Sequence, residues 1–581
     1  MECIRRCAIA LSVLMILLAA ASTAAQATWS QNAALNLAIA DRPNEQVTPK
    51  FGICPDGGCY VAWFDNAFSG YQVWMQHLDA NGNELWPHNG IVISSHPQST
   101  SLVDWDVISD SSGHAVVVFT DTRAGDDLDV YAYRISPTGS LEWGPDGITL
   151  SANDDFEPMP MVCELTDGNF AFCWPRMPDS GAGSIMIQKV SRDGQALFNP
   201  PVEIRGAGSE QPAFSNIVAG DSGSFIVGYV KDIHSFMSPR YLMAQKFSSA
   251  GAPLWGSNPI TIYDSYSLPI AYQPIIMGDG NGGAVFCWHR SDGSYFMSFI
   301  QHVDTDGQER YAHEGIAVTN LTQQYNIDPT LAFDRSTQET FIFWNTRNYS
   351  QSRWGIMGQR FDFWGNRMWT DAGITIVPIT TIYVGLPRAV PIGGGAEVFY
   401  FIEPTGNQLQ DQIVGWRLNA AGTSVWGSAA TMVSSTLSDK ARLPVAMRTD
   451  GVTIAIWEDN RSGSIDVYGQ TVNPNGTLGI NPASIGRDIG RSPMLVQNTP
   501  NPFKGSTVIM LPSIAVSGDA EVTIHDAAGR LVRTLRAGAA AGAIRWDGRD
   551  QQGLPLPAGT YFYRAASGSI VSEPGKAVLT R

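Results

Sequence analysis

The stretch Asp79-Ala80-Asn81-Gly82-Asn83-Glu84-Leu85-Trp86 decides the fold of this chain. It reads as a turn built on a glycine, with a large aromatic four residues later. The same pair returns as Gly139/Trp143, Gly194/Phe198, Gly251/Trp255, Gly307/Tyr311, Gly365/Trp369 and Gly422/Trp426, while an eighth glycine, Gly476, is followed by Ile480 instead. Subtracting successive glycine numbers gives 57, 55, 57, 56, 58, 57 and 54 residues. A period this even marks a repeat architecture, in which each unit is one supersecondary element that buries its faces against its neighbours.

Outward from the glycine, every repeat keeps one order. A Pro-containing segment opens it, as in Asp328-Pro329-Thr330-Leu331-Ala332-Phe333, and a Gly/Asp turn follows, as in Gly278-Asp279-Gly280-Asn281-Gly282-Gly283. Next comes an apolar strand that ends near an aromatic, such as Tyr60-Val61-Ala62-Trp63 or Thr453-Ile454-Ala455-Ile456-Trp457. A polar loop leads to an alternating strand, Asp129-Val130-Tyr131-Ala132-Tyr133-Arg134-Ile135, and a last strand reads Gly90-Ile91-Val92-Ile93-Ser94. Short strands bounded by turn residues satisfy the β template, and no stretch carries a 3.6-residue apolar period.

Four strands in each of eight repeats predict an all-β fold: an eight-bladed β-propeller of four-stranded blades over residues 28–491. An open β-solenoid and two smaller propellers are the competing arrangements. The aromatics are expected to fill the space between blades rather than to form a row of sugar-stacking platforms. Thr28-Trp29 and Leu35-Asn36-Leu37-Ala38-Ile39-Ala40 resemble the last strand of a repeat, and the eighth repeat lacks its aromatic. The N-terminal segment is therefore expected to add a strand to the last blade and close the ring.

Residues 1–27 read as a signal peptide: Arg5 and Arg6, an apolar run from Ile9 to Ala21, and the small-x-small pattern Ala25-Gln26-Ala27. That run is too short to cross a bilayer, which takes ~20 residues, and no later stretch is apolar enough. The expected address is outside the cell, or the outer surface of a Gram-negative-type bacterium. Five cysteines follow the leader. Cys54-Pro-Asp-Gly-Gly-Cys59 suggests a disulfide across a hairpin turn, which an oxidising compartment permits. Cys173 and Cys287, each inside a Phe-Cys-Trp triplet, read as small buried apolar residues. A formal net charge of -17 argues against a nucleic-acid partner.

After about Arg491 the repeat stops. A Pro-rich linker is expected over 492–505, then a small β domain over 506–581 with strand-like runs at 507–511, 520–525, 531–535, 561–565 and 576–579. The motif residues are Asn501-Pro502-Phe503, the turn Asp526-Ala527-Ala528-Gly529-Arg530, Trp546-Asp547-Gly548-Arg549-Asp550, and Gly559-Thr560-Tyr561. In combination they strongly resemble the immunoglobulin-like domain of the flagellar hook-capping protein family. The same pattern is shared with type A sorting domains of the type IX secretion system. The resemblance implies a β-sandwich and, in sorting-domain families, an outer-membrane translocation signal, hence the export machinery as a partner. A hook-capping role does not suit a chain whose remainder is a leader and a repeat array.

The repeats more loosely resemble bacterial propeller-like repeat proteins with a Trp/Phe-x-Asp-x-Arg-x-Gly…Asp-(Val/Ile)-Tyr pattern. Two copies are clear: Asp121, Arg123, Gly125, Asp129, Tyr131, and Asp459, Arg461, Gly463, Asp466, Tyr468. This Asp/Arg loop is the best polar constellation. It is either a carboxylate–guanidinium site for an acidic or sugar ligand or a loop that holds its own turn. Because it recurs at equivalent points of different blades, the second reading is preferred. Asp304-Thr305-Asp306-Gly307 and Asp126-Asp127-Leu128-Asp129 could hold calcium, which takes six to eight oxygen ligands, but neither is a complete calcium loop. No cofactor is expected otherwise.

The Asp79-to-Gly82 spacing does not fit the Asp-box of sialidases, and no Gly-x-Ser-x-Gly elbow or His-Glu-x-x-His helix is present. No residue is therefore assigned a catalytic role. The sequence points to an exported binding or interaction protein, with a glycan or protein as ligand. An extracellular glycoside hydrolase and a structural envelope protein are the alternatives.

Overall fold

Blade 1 is an antiparallel sheet of Gln46–Ile53, Cys59–Phe68, Gly70–Leu78 and Ile91–Gln98, hydrogen-bonded in that order. Blades 2 to 7 repeat the order with four strands each. Their first and last strands are Asp106–Ser109 and Ile148–Ser151, Met161–Glu164 and Val202–Arg205, Ala213–Ala219 and Ile260–Tyr263, Ile275–Gly278 and Ile316–Ala317, Tyr325–Asp334 and Ile374–Thr380, and Tyr383–Ile392 and Thr431–Ser438. In blade 8, Lys440–Ala441 and Val445–Met447 both pair with Thr453–Asp459, which pairs with Asp466–Val472. The fourth strand of blade 8 is Leu37–Ala40 from the N-terminus, with Leu37 opposite Gly469 and Ala38 opposite Tyr468. This is the closure expected from the sequence.

The computed structural model describes residues 28–68, 70–98, 104–125, 127–232, 239–270, 272–291, 293–406, 409–427, 429–480, 498–510, 520–527, 530–537, 543–567, 570–571 and 575–580. The leader expected over 1–27 lies outside them. Two compact units result, Met1–Asn481 and Pro482–Arg581.

Hydrophobic clusters lie between each blade and the next. One joins blades 1 and 2 through Tyr60, Phe64, Trp105 and Phe119; another closes the ring between blades 8 and 1 through Trp29, Ile39, Trp63, Ile456 and Val467. The first strands of adjacent blades pack on each other, and that of blade 1 packs on blade 8, so first strands line the axis.

The period-setting aromatics do more than fill space. Trp86 Nε1 donates to Pro137 O at 3.0 Å, Trp143 to Arg192 O at 2.9 Å, Trp255 to Thr305 O at 3.0 Å, Trp369 to Ala420 O at 3.0 Å and Trp426 to Pro474 O at 3.0 Å. Each acceptor sits two residues before the marked glycine of the next blade. A Cβ on Gly307 would stand 2.6 Å from the Trp255 ring, so only glycine lets the turn close over the indole. A second row runs beside it. Lys189 Nζ bonds Asp167 at 2.6 Å and Ser249 O of the next blade at 2.9 Å, and Arg360 bonds Glu339 at 2.5 Å and Ala420 O at 2.9 Å.

The hairpin of blade 1 corrects the expected Cys54–Cys59 bridge. Both are free thiols. The turn opens on Cys54, whose amide donates to Gly58 O at 2.8 Å, and Cys59 stands opposite Ile53. Cross-strand partners share a face and sequence neighbours do not, so Cys54 and Cys59 belong to opposite faces. Cys54 joins the cluster towards blade 2, and Cys59 the cluster towards blade 8. Burial pushes the Cys54 thiol up to about 12. Cys173 and Cys287 are buried, as expected.

The second unit is a two-sheet sandwich. One sheet has Asn498–Thr499, Thr507–Met510 and Ala543–Trp546; the other has Leu531–Ala537, Ala520–His525 and Gly559–Ser567, the last paired also with Ile570–Val571 and Gly575–Leu579. Phe503, Ile509, Val522, Ile524, Trp546, Tyr561 and Tyr563 form its core. The expected linker is corrected at its C-terminal end. Phe503 is buried and lies 5.3 Å from Trp546, and Asn501 bonds both Lys576 O and the Val578 amide at 2.8 Å. A buried aromatic and two ladder-like bonds make Asn501-Pro502-Phe503 part of the sandwich rather than a joint.

Candidate functional site

The Asp/Arg loops close the second-to-third-strand hairpins of blades 2 and 8, where Asp121 faces Asp129 and Asp459 faces Asp466. Arg123 grips the fully buried Asp121 at 2.6 Å, caps Asp146 O at 2.8 Å and lies 3.8 Å over the Tyr131 ring. Arg461 grips Asp459 at 2.5 Å, bonds Asn36 Oδ1 of the closing strand at 3.0 Å and lies 4.2 Å over Tyr468. Both guanidiniums are thus engaged by the protein itself: each holds the aspartate of its own loop and also bonds a neighbouring segment, Ser94 of blade 1 for Arg123 and Asn36 for Arg461.

The acidic turns are engaged in the same way. Asp304 Oδ1 accepts the amides of Asp306 at 3.0 Å and Gln308 at 2.9 Å. Asp129 Oδ1 accepts the Asn153 amide at 2.9 Å, and burial and then Asp127 hold its carboxyl above the usual range. Asp126 lies outside the described residues. Among the described residues, one group could gather ligand atoms about a metal ion: Asp264, His313 and Glu314. Its histidine is engaged by Glu309 at 2.8 Å, and His88 repeats the arrangement with Glu84 at 2.8 Å and Asp41 at 3.0 Å. These are histidine–carboxylate clamps between adjacent blades.

In the sandwich, Trp546 is core and donates to Arg549 O at 3.2 Å, Asp547 Oδ1 accepts the Arg549 amide at 3.2 Å, and Gly548 has a φ of 67°. Arg530 bonds Asp526 at 3.0 Å, and Tyr561 OH donates to Pro557 O at 2.7 Å. Gly559 opens the strand that carries Tyr561, and Gly529 lies outside the described residues. The motif is therefore a set of turn-holding and core residues. Residues 503–569 match the model of the FlgD Ig-like domain.

The first strands begin at one end of the axis, and their backbone is unusual there. Thr48, Met159, Phe214, Asp328, Leu386 and Arg442 each have a φ between 51° and 53° there, and bulges interrupt the pairing beside Thr48, Phe214, Asp328 and Leu386. Left-handed backbone on side-chain-bearing residues is costly and turns them out of the pleat.

On blades 5 to 7 this end is aromatic. Tyr325 stacks with Tyr349 at 6.3 Å, Tyr295 lies 6.0 Å from Tyr325 and 5.8 Å from Tyr349, and Trp354 meets Tyr383 edge-on at 5.6 Å. Tyr349 is 67% exposed. Beside the row, Arg347 lies 3.6 Å from Asp328, whose amide donates to His289 Nδ1 at 3.2 Å. Burial, with the Arg347 charge, lowers the His289 pKa to about 3, so that ring is a neutral acceptor.

A cavity of about 340 Å³ opens next to it, between blades 7 and 8, lined by Tyr383, Leu386, Phe401, Asp411, Asp439 and Lys440. Lys440 Nζ is saturated by Asp411 O at 2.9 Å, Thr436 O at 2.6 Å and Ser438 Oγ at 2.5 Å. Burial pushes the Asp411 carboxyl up to about 6.

Sequence reasoning did not single out Tyr325, Tyr349, Arg347, Tyr383 or Asp411. A readable signal was the residue before a proline in four of the blades: Thr48-Pro49, Met159-Pro160, Asp328-Pro329 and Leu386-Pro387.

No curated protein matches the chain. Among solved structures, a family PL25 polysaccharide lyase, an ulvan lyase bound to -[GlcA(1-4)Rha3S]-, is 9% identical, with 78% of this chain and 99% of that chain covered and a TM-score of 0.41. The Penicillium chrysogenum α-L-arabinanase complexed with arabinobiose is 10% identical, covering 76% and 99%, with a TM-score of 0.33. PorZ, an essential surface component of the type-IX secretion system of Porphyromonas gingivalis, is 12% identical, covering 91% and 74%, with a TM-score of 0.22. These likenesses bear on neither site nor ligand.

Proposed function

We propose that the chain is an exported binding protein whose ligand is a carbohydrate chain laid across the strand-start face of blades 5 to 7. The observation that carries this reading is the row Tyr295, Tyr349 and Tyr325, with Trp354 and Tyr383 beyond it, alongside the polar groups of Arg347 and Asp328. Aromatic faces shed little entropy on binding and suit the apolar faces of sugar rings, while a few fixed polar groups set orientation. The FlgD Ig-like domain serves as the address, handed to the export machinery.

A glycan array with the full-length mature protein tests the ligand. Binding that is lost in Tyr349→Ala supports the reading, and an array silent for every glycan contradicts it. A tag placed before Arg491 tests the address by fractionation: full-length protein retained in the periplasm would sink it.

A hydrolase is the second reading, favoured by Asp411 and Asp439 facing one cavity with Asp411 raised to about 6. A carboxyl held partly protonated near neutrality suits a general acid. Glycoside hydrolysis that disappears in Asp411→Asn would support it, and no turnover across a panel of neutral and acidic polysaccharides would end it.

A further inference from the structure

Three blades bring guanidinium groups to the same end of the axis. Arg388 of blade 7 is half-buried and donates to Pro387 O at 3.0 Å. Burial disfavours its charge, Asp328 of blade 6 supports it, Arg442 of blade 8 opposes it, and its pKa falls below the ordinary arginine range. The first strand of blade 7, which carries Arg388, packs on Tyr325–Asp334 of blade 6, which carries Asp328, and on Val445–Met447 of blade 8, three residues beyond Arg442. Among the described residues, neither Arg388 nor Arg442 makes an ion pair, whereas Arg347 takes Asp328 at 3.6 Å. Glu458 of blade 8 is turned towards blade 1, where its Oε1 accepts the Thr48 amide at 2.5 Å.

Three arginines thus stand on neighbouring blades at one end of the axis, and among the described residues only Arg347 has an ion-pair partner there, in a chain of net charge -17. A half-buried or exposed guanidinium without an ion-pair partner is free to take an anionic ligand. A guanidinium presents a planar fork that matches carboxylate and sulfate oxygens.

We infer that the ligand is an anionic glycan, a chain bearing uronate or sulfate groups, with one anionic group held between Arg388 and Arg442 and the adjoining sugar over Tyr325 and Tyr349. This rests on the binding reading above and narrows its ligand.

The test is titration calorimetry on the full mature chain with sodium polygalacturonate, dextran sulfate and neutral dextran. The expected result is binding of one or both polyanions and not of dextran. Binding of polygalacturonate alone assigns a uronate, and of dextran sulfate alone a sulfate. Arg388→Gln/Arg442→Gln should weaken binding about tenfold or more, and Arg388→Lys/Arg442→Lys should restore part of it. Arg442→Gln alone changes only an exposed side chain and should weaken binding with no change in melting temperature. Polyanion binding untouched by these changes would overturn the inference. Dextran bound as tightly as the polyanions would overturn it too, while leaving the binding face standing. An array silent for acidic and neutral glycans alike would remove both.

Discussion

Trp29 packs on Gly82 across the junction of the last and first blades. A Cβ at position 82 would stand 2.8 Å from the Trp29 nitrogen and 2.9 Å from its indole, and the Trp29 amide donates to Asn81 O at 3.1 Å. The glycines at 139, 194, 251, 307, 365, 422 and 476 all meet the aromatic of the preceding blade in this way. Blade 8 has Ile480 at that point, and Trp29 supplies the missing ring. The N-terminus thus contributes both the last strand and the last wedge.

Trp29→Ala should cost about 3–5 kcal/mol, the usual range for removing a buried large aromatic. Gly82→Ala should also destabilise, since its φ of 83° suits glycine and its Cβ would strike Trp29. The two changes touch one contact, so their costs should fall short of additive by ~0.5–3 kcal/mol. Urea unfolding of the two single variants and the double variant measures this, and strict additivity would speak against the wedge.

Arg123→Ala and Arg461→Ala should differ. Asp121 loses its one ion-pair partner among the described residues and stays buried, so the cost should approach ~3–5 kcal/mol. Asp459 keeps Lys440 at 3.4 Å, Ser438 Oγ at 2.6 Å and Trp457 Nε1 at 2.9 Å, so Arg461→Ala should cost less. Neither change should alter glycan affinity. Paired denaturation and binding curves check both statements.

The closing strand should be held more firmly in mild acid. His88 opposes burial through Glu84 and Asp41, and its pKa is raised above 6.5. A histidine with a raised folded pKa contributes fully below its unfolded value and loses that contribution as pH rises through the folded one. The pair is half-exposed, so the effect should be ~1 kcal/mol or less. The destabilisation by His88→Gln should therefore be larger at pH 5.5 than at pH 8. Equal losses at both would contradict the clamp.

Five thiols, Cys54, Cys59, Cys163, Cys173 and Cys287, should titrate in denaturant without prior reduction. In the folded protein Cys54 and Cys59 should resist a thiol reagent, because burial holds both pKa values high. Three titrating thiols would restore the bridge.

The propeller was legible because its signature is local and repeated: a glycine where φ must be positive, then an aromatic that the next blade covers. Closure was legible because Ile480 breaks the pattern and Trp29 completes it. The Cys54–Cys59 pairing failed on one residue of register, since the turn begins at Cys54 and sets Ile53 against Cys59. The linker failed because Phe503 reads as the end of a Pro-rich segment, whereas a whole core receives it. The ligand face was not legible. Asp328, Leu386 and Arg442 occupy one phase of the repeat with unlike side chains, so only the closed ring brings their neighbours together.

The most direct test of the account is hydrogen exchange with and without a saturating anionic oligosaccharide. Protection is predicted in 289–296, 325–330, 347–354 and 383–388, on the strand-start face of blades 5 to 7. Protection confined to the opposite turns, around 79–86 or 136–143, or none anywhere, would contradict it.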